Sequence, residues 1–184
     1  MTVLQTRCLT PTEAVESVLR RYRLEGGRRR MAITEVEHAA QAATLARRHG
    51  LAPALVAACL LHDFGRLLEA DAEDHAEVGA EALCSLFGPS ITEPIRLHTR
   101  AWGYLAAVEP DVVLAHPMAG EDLPARLREP MSGAEVRRFL DTPWSDEAAT
   151  VRRIDDASRL PGIDSPPLEY FRPLLEDLVI RREE

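Results

Sequence analysis

Apolar residues recur at intervals of three and four along most of this chain, which is the spacing of amphipathic helices. Residues 10–13 read Thr-Pro-Thr-Glu, a capping box with proline at the first helical position, and Gly26-Gly27 follow them. These signals predict a first helix over about residues 11–24. A second helix, ending at Gly50, is predicted from four apolar positions at helical spacing: Ile33, Val36, Ala40 and Ala43.

The third predicted helix starts near Pro53, runs to about Leu61 and is apolar nearly all round. This pattern favours a position at the centre of a helical bundle. The helix ends directly before His62-Asp63, so it delivers two polar side chains to the interior. A fourth helix begins near His75 and stops at Gly88-Pro89.

Ser90-Ile91-Thr92-Glu93 has the form of another capping box and predicts the start of a fifth helix. On this helix His98 and Trp102 are one turn apart, so they share a face. Residues 109–130 are rich in proline and predict a long irregular connection, a type of segment that often forms a lid. Three further helices are predicted: one capped by Ser132, one capped by Ser145 that carries Asp155, and a last one with Leu168, Phe171, Leu175 and Leu178. Without an internal repeat or a domain boundary, residues 1–184 are predicted to form a single domain with its core over about residues 28–178.

The composition supports an all-α fold, because 46% of the residues are hydrophobic and only 5% are aromatic. The 22 basic residues are all arginine, and 30 acidic residues give a net charge of −8. Binding to nucleic acid is therefore not expected. Schiff-base and P-loop mechanisms are excluded because both need a lysine amine. The scattered Cys8, Cys59 and Cys84 indicate reduced thiols, and no apolar run is long enough for a membrane span, so a cytoplasmic protein is expected.

The adjacent pair His62-Asp63 is the first sign of a functional site, because an ionised carboxylate in an apolar interior must be paired, protonated or bound to metal. The alternative is that His62 is a hydrogen-bonded core histidine and Asp63 caps the turn at Gly65. Against this alternative, inward positions of four helices carry histidine: His38, His62, His75 and His98. Helical bundles with inward histidines and carboxylates commonly hold one or two metal ions. His49, a predicted helix cap, and His116, in the proline-rich connection, are not assigned to the metal.

The order His38, His62-Asp63 and a distant Asp155 is similar to the H...HD...D signature of the HD-domain superfamily of metal-dependent enzymes. Other stretches resemble one branch of it, the mixed-valent diiron oxygenases that cleave organophosphonates, which are relatives of myo-inositol oxygenase. Those stretches are Glu37-His38, His62-Asp63-Phe64-Gly65, His75-Ala76-Glu77-Val78-Gly79-Ala80, Pro130-Met131-Ser132 and Arg152-Arg153-Ile154-Asp155-Asp156.

The resemblance implies an HD-domain helical bundle with its metal site in the core. It implies that one iron is held by His38, His62, Asp63 and Asp155, and the other by Asp63, His75 and His98, with Asp63 as the bridge. Asp63, His75 and His98 are then the catalytic residues. The family's Fe(II)/Fe(III) pair activates dioxygen and abstracts hydrogen from a carbon that bears a hydroxyl, after which a carbon–phosphorus or carbon–carbon bond breaks.

The chain departs from that branch around the open side of the site. In the oxygenases a Tyr and a Glu, about two to three helical turns before the first His, latch over the iron. Arg28 and Met31 stand there in this chain, so no such latch is expected. Arg66 replaces a histidine and Trp102 replaces a basic residue. Trp102 favours an apolar, aromatic or quaternary-ammonium group in the substrate, unless it is simply core, and the candidate anion contacts are Arg66 and Arg100.

Three functions are compatible with this pattern. The first is a diiron oxygenase that oxidises a small polar substrate with dioxygen. The second is a phosphohydrolase, in which Mn, Mg, Co or Ni would also serve, and the third is a metal-binding protein without turnover. Iron content and a phosphatase assay separate the first two.

Overall fold

The structure, a computed structural model, describes residues 9–30, 32–68, 74–111, 120 and 123–181. This part of the chain is mainly helical, which confirms the all-α class. Its helices are α1 (Pro11–Glu25), α2 (Glu35–Arg48), α3 (Pro53–Leu61), α4 (His75–Leu83), α5 (Pro89–Val108), α6 (Gly133–Leu140), α7 (Ser145–Ala157) and α8 (Arg172–Leu178). Single 3-10 turns lie at Phe64–Leu68, Ala125–Leu127 and Leu168–Phe171. Strands β1 (Arg29–Arg30) and β2 (Ile33–Thr34) form a small antiparallel hairpin in which Arg29 faces Thr34.

Helix α3 lies at the centre of the bundle, as its all-round apolar sequence predicts. It contacts α2, α5, α7 and α8, and its residues from Val56 to Leu61 are all buried. Helix α5 packs along α7 on one side of α3. The end of α3 therefore opens into the space between α2, α5 and α7, and His62-Asp63 enter that space.

Capping boxes begin three of the described helices. Two of these caps were predicted, and the third was not. The Thr10–Glu13 and Ser132–Glu135 pairs cap α1 and α6. In the unpredicted box, the Thr34 hydroxyl accepts a hydrogen bond from the Glu37 backbone N–H at 3.2 Å. The Glu37 carboxylate in turn accepts one from the Thr34 N–H at 2.7 Å. Helix α2 therefore begins at Glu35, and Ile33 belongs to the hairpin instead of the helix.

Other predicted helix boundaries are also wrong. Residues 90–93 form no capping box, because proline at the first helical position starts α5 at Pro89, which places Ser90 inside the first turn. Helix α4 ends at Leu83, five residues before Gly88. Ser145 is the buried first residue of α7 and not its cap. The preceding Trp144 holds the cap position in a left-handed conformation with φ 68°.

Two apolar clusters fill the interior. The larger one surrounds α3 and includes residues of α1, α2 and α8. The smaller one joins α5, α6 and α7 and consists of Leu97, Ala101, Trp102, Leu105, Leu123, Phe139, Ala148 and Ala149. In the described part of the chain, no helix is long and apolar enough to cross a bilayer.

Candidate metal centre

Six side chains from five segments meet in the centre of the bundle. His38 comes from α2, His62 caps the end of α3, Asp63 follows it, His75 opens α4, His98 lies in the middle of α5, and Asp155 lies in α7. Their exposed fractions are between 0% and 5%. All six residues predicted as metal ligands are thus brought together.

A close backbone contact places His75 beside Asp63. A side chain at Gly65 would overlap the carbonyl oxygen of His75, and its Cβ would lie 2.8 Å from the backbone N of Gly79. Only two facing glycines allow the 3-10 turn after Asp63 to lie this close to α4. The glycine in His62-Asp63-Phe64-Gly65 therefore has a geometric role in bringing Asp63 and His75 together.

The histidine rings are oriented by hydrogen bonds on their outer nitrogens. His62 Nδ1 lies 2.8 Å from the carbonyl oxygen of Cys59, and His98 Nδ1 lies 2.6 Å from that of Ile95. A carbonyl can only accept, so Nδ1 carries the proton in both rings, and in the neutral ring Nε2 presents a lone pair to the centre. His38 Nδ1 lies 3.4 Å from the Ser158 hydroxyl.

The inward Nε2 atoms form two close pairs. Those of His38 and His62 lie 3.1 Å apart, and those of His75 and His98 lie 3.4 Å apart. Asp155 Oδ1 lies 3.0 Å from His38 Nε2 and 3.3 Å from His62 Nε2. The ligand atoms of His38, His62 and Asp155 fall within 4.8 Å of one another, as do those of His62, Asp63 and His98.

Asp63 lies between the two histidine pairs. Its Oδ1 is 3.1 Å from His75 Nε2 and 4.0 Å from His98 Nε2. Its Oδ2 is 3.5 Å from His62 Nε2 and 3.7 Å from His38 Nε2. Each oxygen of this one carboxylate therefore faces a different pair of histidines.

An alternating chain of buried arginines and aspartates runs through the centre. Arg66 Nε donates to Asp63 Oδ1 at 2.8 Å, and Arg159 Nη2 donates to Asp63 Oδ2 at 3.0 Å and to Asp155 Oδ1 at 3.2 Å. Arg152 Nη1 lies 2.9 Å from Asp155 Oδ2, and Arg152 Nε donates to Asp156 Oδ2 at 3.0 Å. Three guanidinium groups and three carboxylates thus alternate with almost no exposure to solvent.

Sequence reasoning missed Arg152 and Arg159 as part of this centre. Their spacings from Asp155, three residues before and four after, are those of helix-face neighbours and could have indicated pairing. The contact of Arg159 with Asp63 spans 96 positions and has no local signal in the sequence.

The charges around the centre shift the pKa values of its groups. Burial opposes ionisation of Asp63 and Asp155, yet Arg66 beside the first and Arg152 beside the second hold both pKa values well below the usual range. Burial lowers the pKa of His38 to about 4, helped by Arg159, and lowers that of His98 to about 3, helped by His62. Burial also favours a lower pKa for His62, but the negative charges of Asp63 and Asp155 outweigh burial and raise the pKa of His62 to about 9.

These donors fit one or two metal ions. Two ionised carboxylates and the Nε2 atoms of four imidazole rings converge on one small volume, a donor set suited to first-row transition metals. The raised pKa of His62 indicates that the potential at its Nε2 attracts positive charge, from a proton or from a metal ion.

The other predicted residues lie in different surroundings. Arg66 reaches the centre through Asp63. Trp102 belongs to the smaller apolar cluster and is 9% exposed. Arg100 is exposed and does not join the centre. It lines a surface cavity of about 270 Å³ with Leu127, Met131, Arg138 and others.

Two latch positions, Arg28 and Met31, and two histidines, His49 and His116, were not predicted to bind the metal. Of these, the structure describes Arg28 and His49, and neither is among the six residues of the centre. Arg28 is exposed and pairs with Glu25 at 3.0 Å. His49 caps α2, as predicted. Met31 and His116 lie outside the described residues.

Comparison with known proteins identifies the family of this arrangement. The family model described as HD domain matches residues 36–160, a range that begins two residues before His38 and ends five after Asp155. This chain belongs to the HD domain family. The matched range contains His38, His62, Asp63 and Asp155, which the structure gathers in the bundle.

Two relatives of this HD domain are named as phosphonate dioxygenases. The hydroxymethylphosphonate dioxygenase of Gimesia maris is 35% identical over 154 residues, covering 78% of this chain and 77% of that protein. The [1-hydroxy-2-(trimethylamino)ethyl]phosphonate dioxygenase (glycine-betaine-forming) of Leisingera caerulea is 31% identical over 156 residues, covering 80% of each chain. An uncharacterized protein of Acanthamoeba polyphaga mimivirus is 27% identical over 153 residues, covering 77% of this chain and 70% of that protein.

Proposed function

We propose that this HD domain is an oxygenase that uses a pair of iron ions and dioxygen to cleave a hydroxylated organophosphonate. The observation that carries the proposal is the position of Asp63, with one oxygen toward His75 and His98 and the other toward His38 and His62. The names of two relatives, each matched over more than three quarters of this chain, support the reaction class.

In this proposal His38, His62, Asp63 and Asp155 hold one ion, and Asp63, His75 and His98 hold the other. An Fe(II)/Fe(III) pair, when bound, would supply activation of dioxygen and abstraction of hydrogen from the carbon that bears the hydroxyl. Because the His75 and His98 side offers one protein ligand fewer, the substrate is expected to bind there. The Cys59 and Ile95 carbonyls fix the rings of His62 and His98 and keep their Nε2 atoms directed at the centre.

The buried charges favour an anionic substrate. Asp63, Asp155 and Asp156 are already balanced by three guanidinium groups within hydrogen-bond distance, so the protein offers little further negative charge to two metal ions. A phosphonate would supply the negative charge that two metal ions need. Arg66 is proposed to contact the anion from beside Asp63, and Trp102, one turn from His98, to bound the substrate on the α5 side. Arg100 is left out of this site because it lies on the outer surface.

The proposal is tested by anaerobic reconstitution with Fe(II), followed by addition of air-saturated buffer with hydroxymethylphosphonate or [1-hydroxy-2-(trimethylamino)ethyl]phosphonate. Substrate-dependent oxygen uptake with matching phosphate release is the expected result. His98→Ala should abolish the uptake, whereas Arg100→Met, a change on the outer surface of the same helix, should leave it unchanged. Turnover of a phosphate ester by Mn- or Mg-loaded protein without oxygen would instead identify a phosphohydrolase.

A further inference from the structure

Arg159 occupies a special place in the chain of buried arginines and aspartates. A single nitrogen, Nη2, donates to Asp63 Oδ2 at 3.0 Å and to Asp155 Oδ1 at 3.2 Å. These are the oxygens that also face the Nε2 atoms of His38 and His62. Arg159 would therefore share its two partners with a metal ion held on that side, and its charge would lie close to that ion.

The segment that carries Arg159 is held in place by Gln41. Arg159 lies two residues beyond the end of α7, where the backbone has left the helix. Gln41 Nε2 donates to the carbonyl oxygens of Leu160 at 2.9 Å and Ile163 at 3.3 Å, and Gln41 Oε1 accepts from the backbone N–H of Leu160 at 3.2 Å. Because Gln41 is on α2, one turn after His38, it connects the Arg159 segment to the helix of a proposed ligand.

The charge of Arg159 has opposite effects on the empty and the loaded centre. Without metal, it supplies a cation to two buried carboxylates, and removing one partner of a buried pair is strongly destabilising. With metal, it is a positive charge a few ångströms from another positive charge, in surroundings that screen poorly. Both effects shift the equilibrium in the same direction, toward weaker net binding of metal.

We propose that Arg159, held by Gln41, is a positioning residue that acts as an internal counter-cation: it stabilises the metal-free arrangement of Asp63 and Asp155 and lowers the affinity of the centre for metal. This inference rests on the metal centre of the proposed function. It predicts that loss of the Arg159 charge makes metal binding tighter, although the protein without metal becomes less stable.

The test uses the full chain and Fe(II) alone, under anaerobic conditions, with affinity measured against a competing chelator and Tm measured with and without Fe(II). Arg159→Met should lower the Tm of the metal-stripped protein and tighten Fe(II) binding about tenfold. For a chain of this size, that change in affinity enlarges the metal-induced rise in Tm by about 3 to 6 °C. Arg159→Lys, which keeps the charge, should bind Fe(II) within about threefold of the wild type.

Two further variants make the test specific. Gln41→Ala keeps Arg159 but releases its segment, so it should shift the affinity in the same direction by a smaller factor, and it serves if Arg159→Met cannot be isolated. Arg153→Met removes a neighbouring arginine of α7 that pairs with Glu109 at 3.1 Å, and it should leave the metal affinity unchanged.

Unchanged affinity in Arg159→Met would make Arg159 a purely structural residue, and weaker binding would mean that it orients the ligands without opposing the metal. Either result overturns the inference. If the wild type binds no Fe(II), the proposed metal centre itself fails. That outcome is distinguishable from the other two, because unchanged or weaker Fe(II) binding by Arg159→Met can be measured only if the wild type binds Fe(II).

Discussion

Asp63 Oδ1 lies 3.1 Å from Nε2 of His75, across a contact in which two glycine backbones touch. The other oxygen of the same carboxylate faces a different pair of histidines. This geometry is the physical basis of the bridging role proposed for Asp63.

Replacing Asp63 should remove metal from both sides of the centre. Asp63→Asn keeps the shape of the side chain but loses the charge that would neutralise two neighbouring cations, so elemental analysis after reconstitution with Fe(II) should find fewer than one ion per chain, against two in the wild type.

Asp156→Asn is the matched control, because Asp156 pairs with Arg152 and is not one of the proposed ligands. This variant should retain both ions and lose about 1 to 3 kcal/mol of unfolding free energy, since it removes the charge of one of the two carboxylates that pair with the buried Arg152. If Asp156→Asn lost the metal and Asp63→Asn kept it, the proposed ligand set would be wrong.

Gly65→Ala should separate Asp63 from His75. The added methyl group would overlap the His75 carbonyl, so the turn after Asp63 and helix α4 must move apart. We expect a stability loss of about 1 to 3 kcal/mol or more, measured by urea unfolding, together with loss of the ion proposed for His75 and His98. Gly27→Ala, at a site with nothing within 4 Å, should change stability by less than about 0.5 kcal/mol. Full metal content in Gly65→Ala would show that this contact does not position the ligands.

Two substitutions can show whether Trp102 is only a core residue or also contacts the substrate. Its indole packs among apolar residues of the smaller cluster, and its Nε1 has no hydrogen-bond partner in the described part of the chain. Trp102→Ala should therefore cost about 3 to 5 kcal/mol, whereas Trp102→Phe should cost much less. In oxygen-uptake assays, a raised KM for Trp102→Phe at nearly unchanged Tm would place the indole against the substrate. An unchanged KM would leave it a core residue.

Helical spacing was sufficient to predict the helices and the four inward histidines, because such spacing is local. The full set of six candidate ligands was implied by the resemblance to the HD-domain superfamily. Arg100 could have been set aside from its sequence position alone. It is two residues from His98, which corresponds to nearly opposite sides of a helix, whereas Trp102 is one full turn away.

Long-range contacts were beyond the reach of spacing arguments. The contact of Arg159 with Asp63 and that of Gln41 with Leu160 each join residues about a hundred positions apart. The facing of Gly65 and Gly79 likewise depends on how two segments meet in space. In each case a turn or loop determines the contact, and no periodic pattern encodes it.

The most direct measurement is an anomalous difference map, recorded at the iron edge, from crystals of protein reconstituted anaerobically with Fe(II). The account predicts two peaks in the centre of the bundle, about 3.5 to 4 Å apart, with the carboxylate of Asp63 between them. His38, His62 and Asp155 should surround one peak, and His75 and His98 the other. A single peak, or two peaks that do not share Asp63, would contradict it.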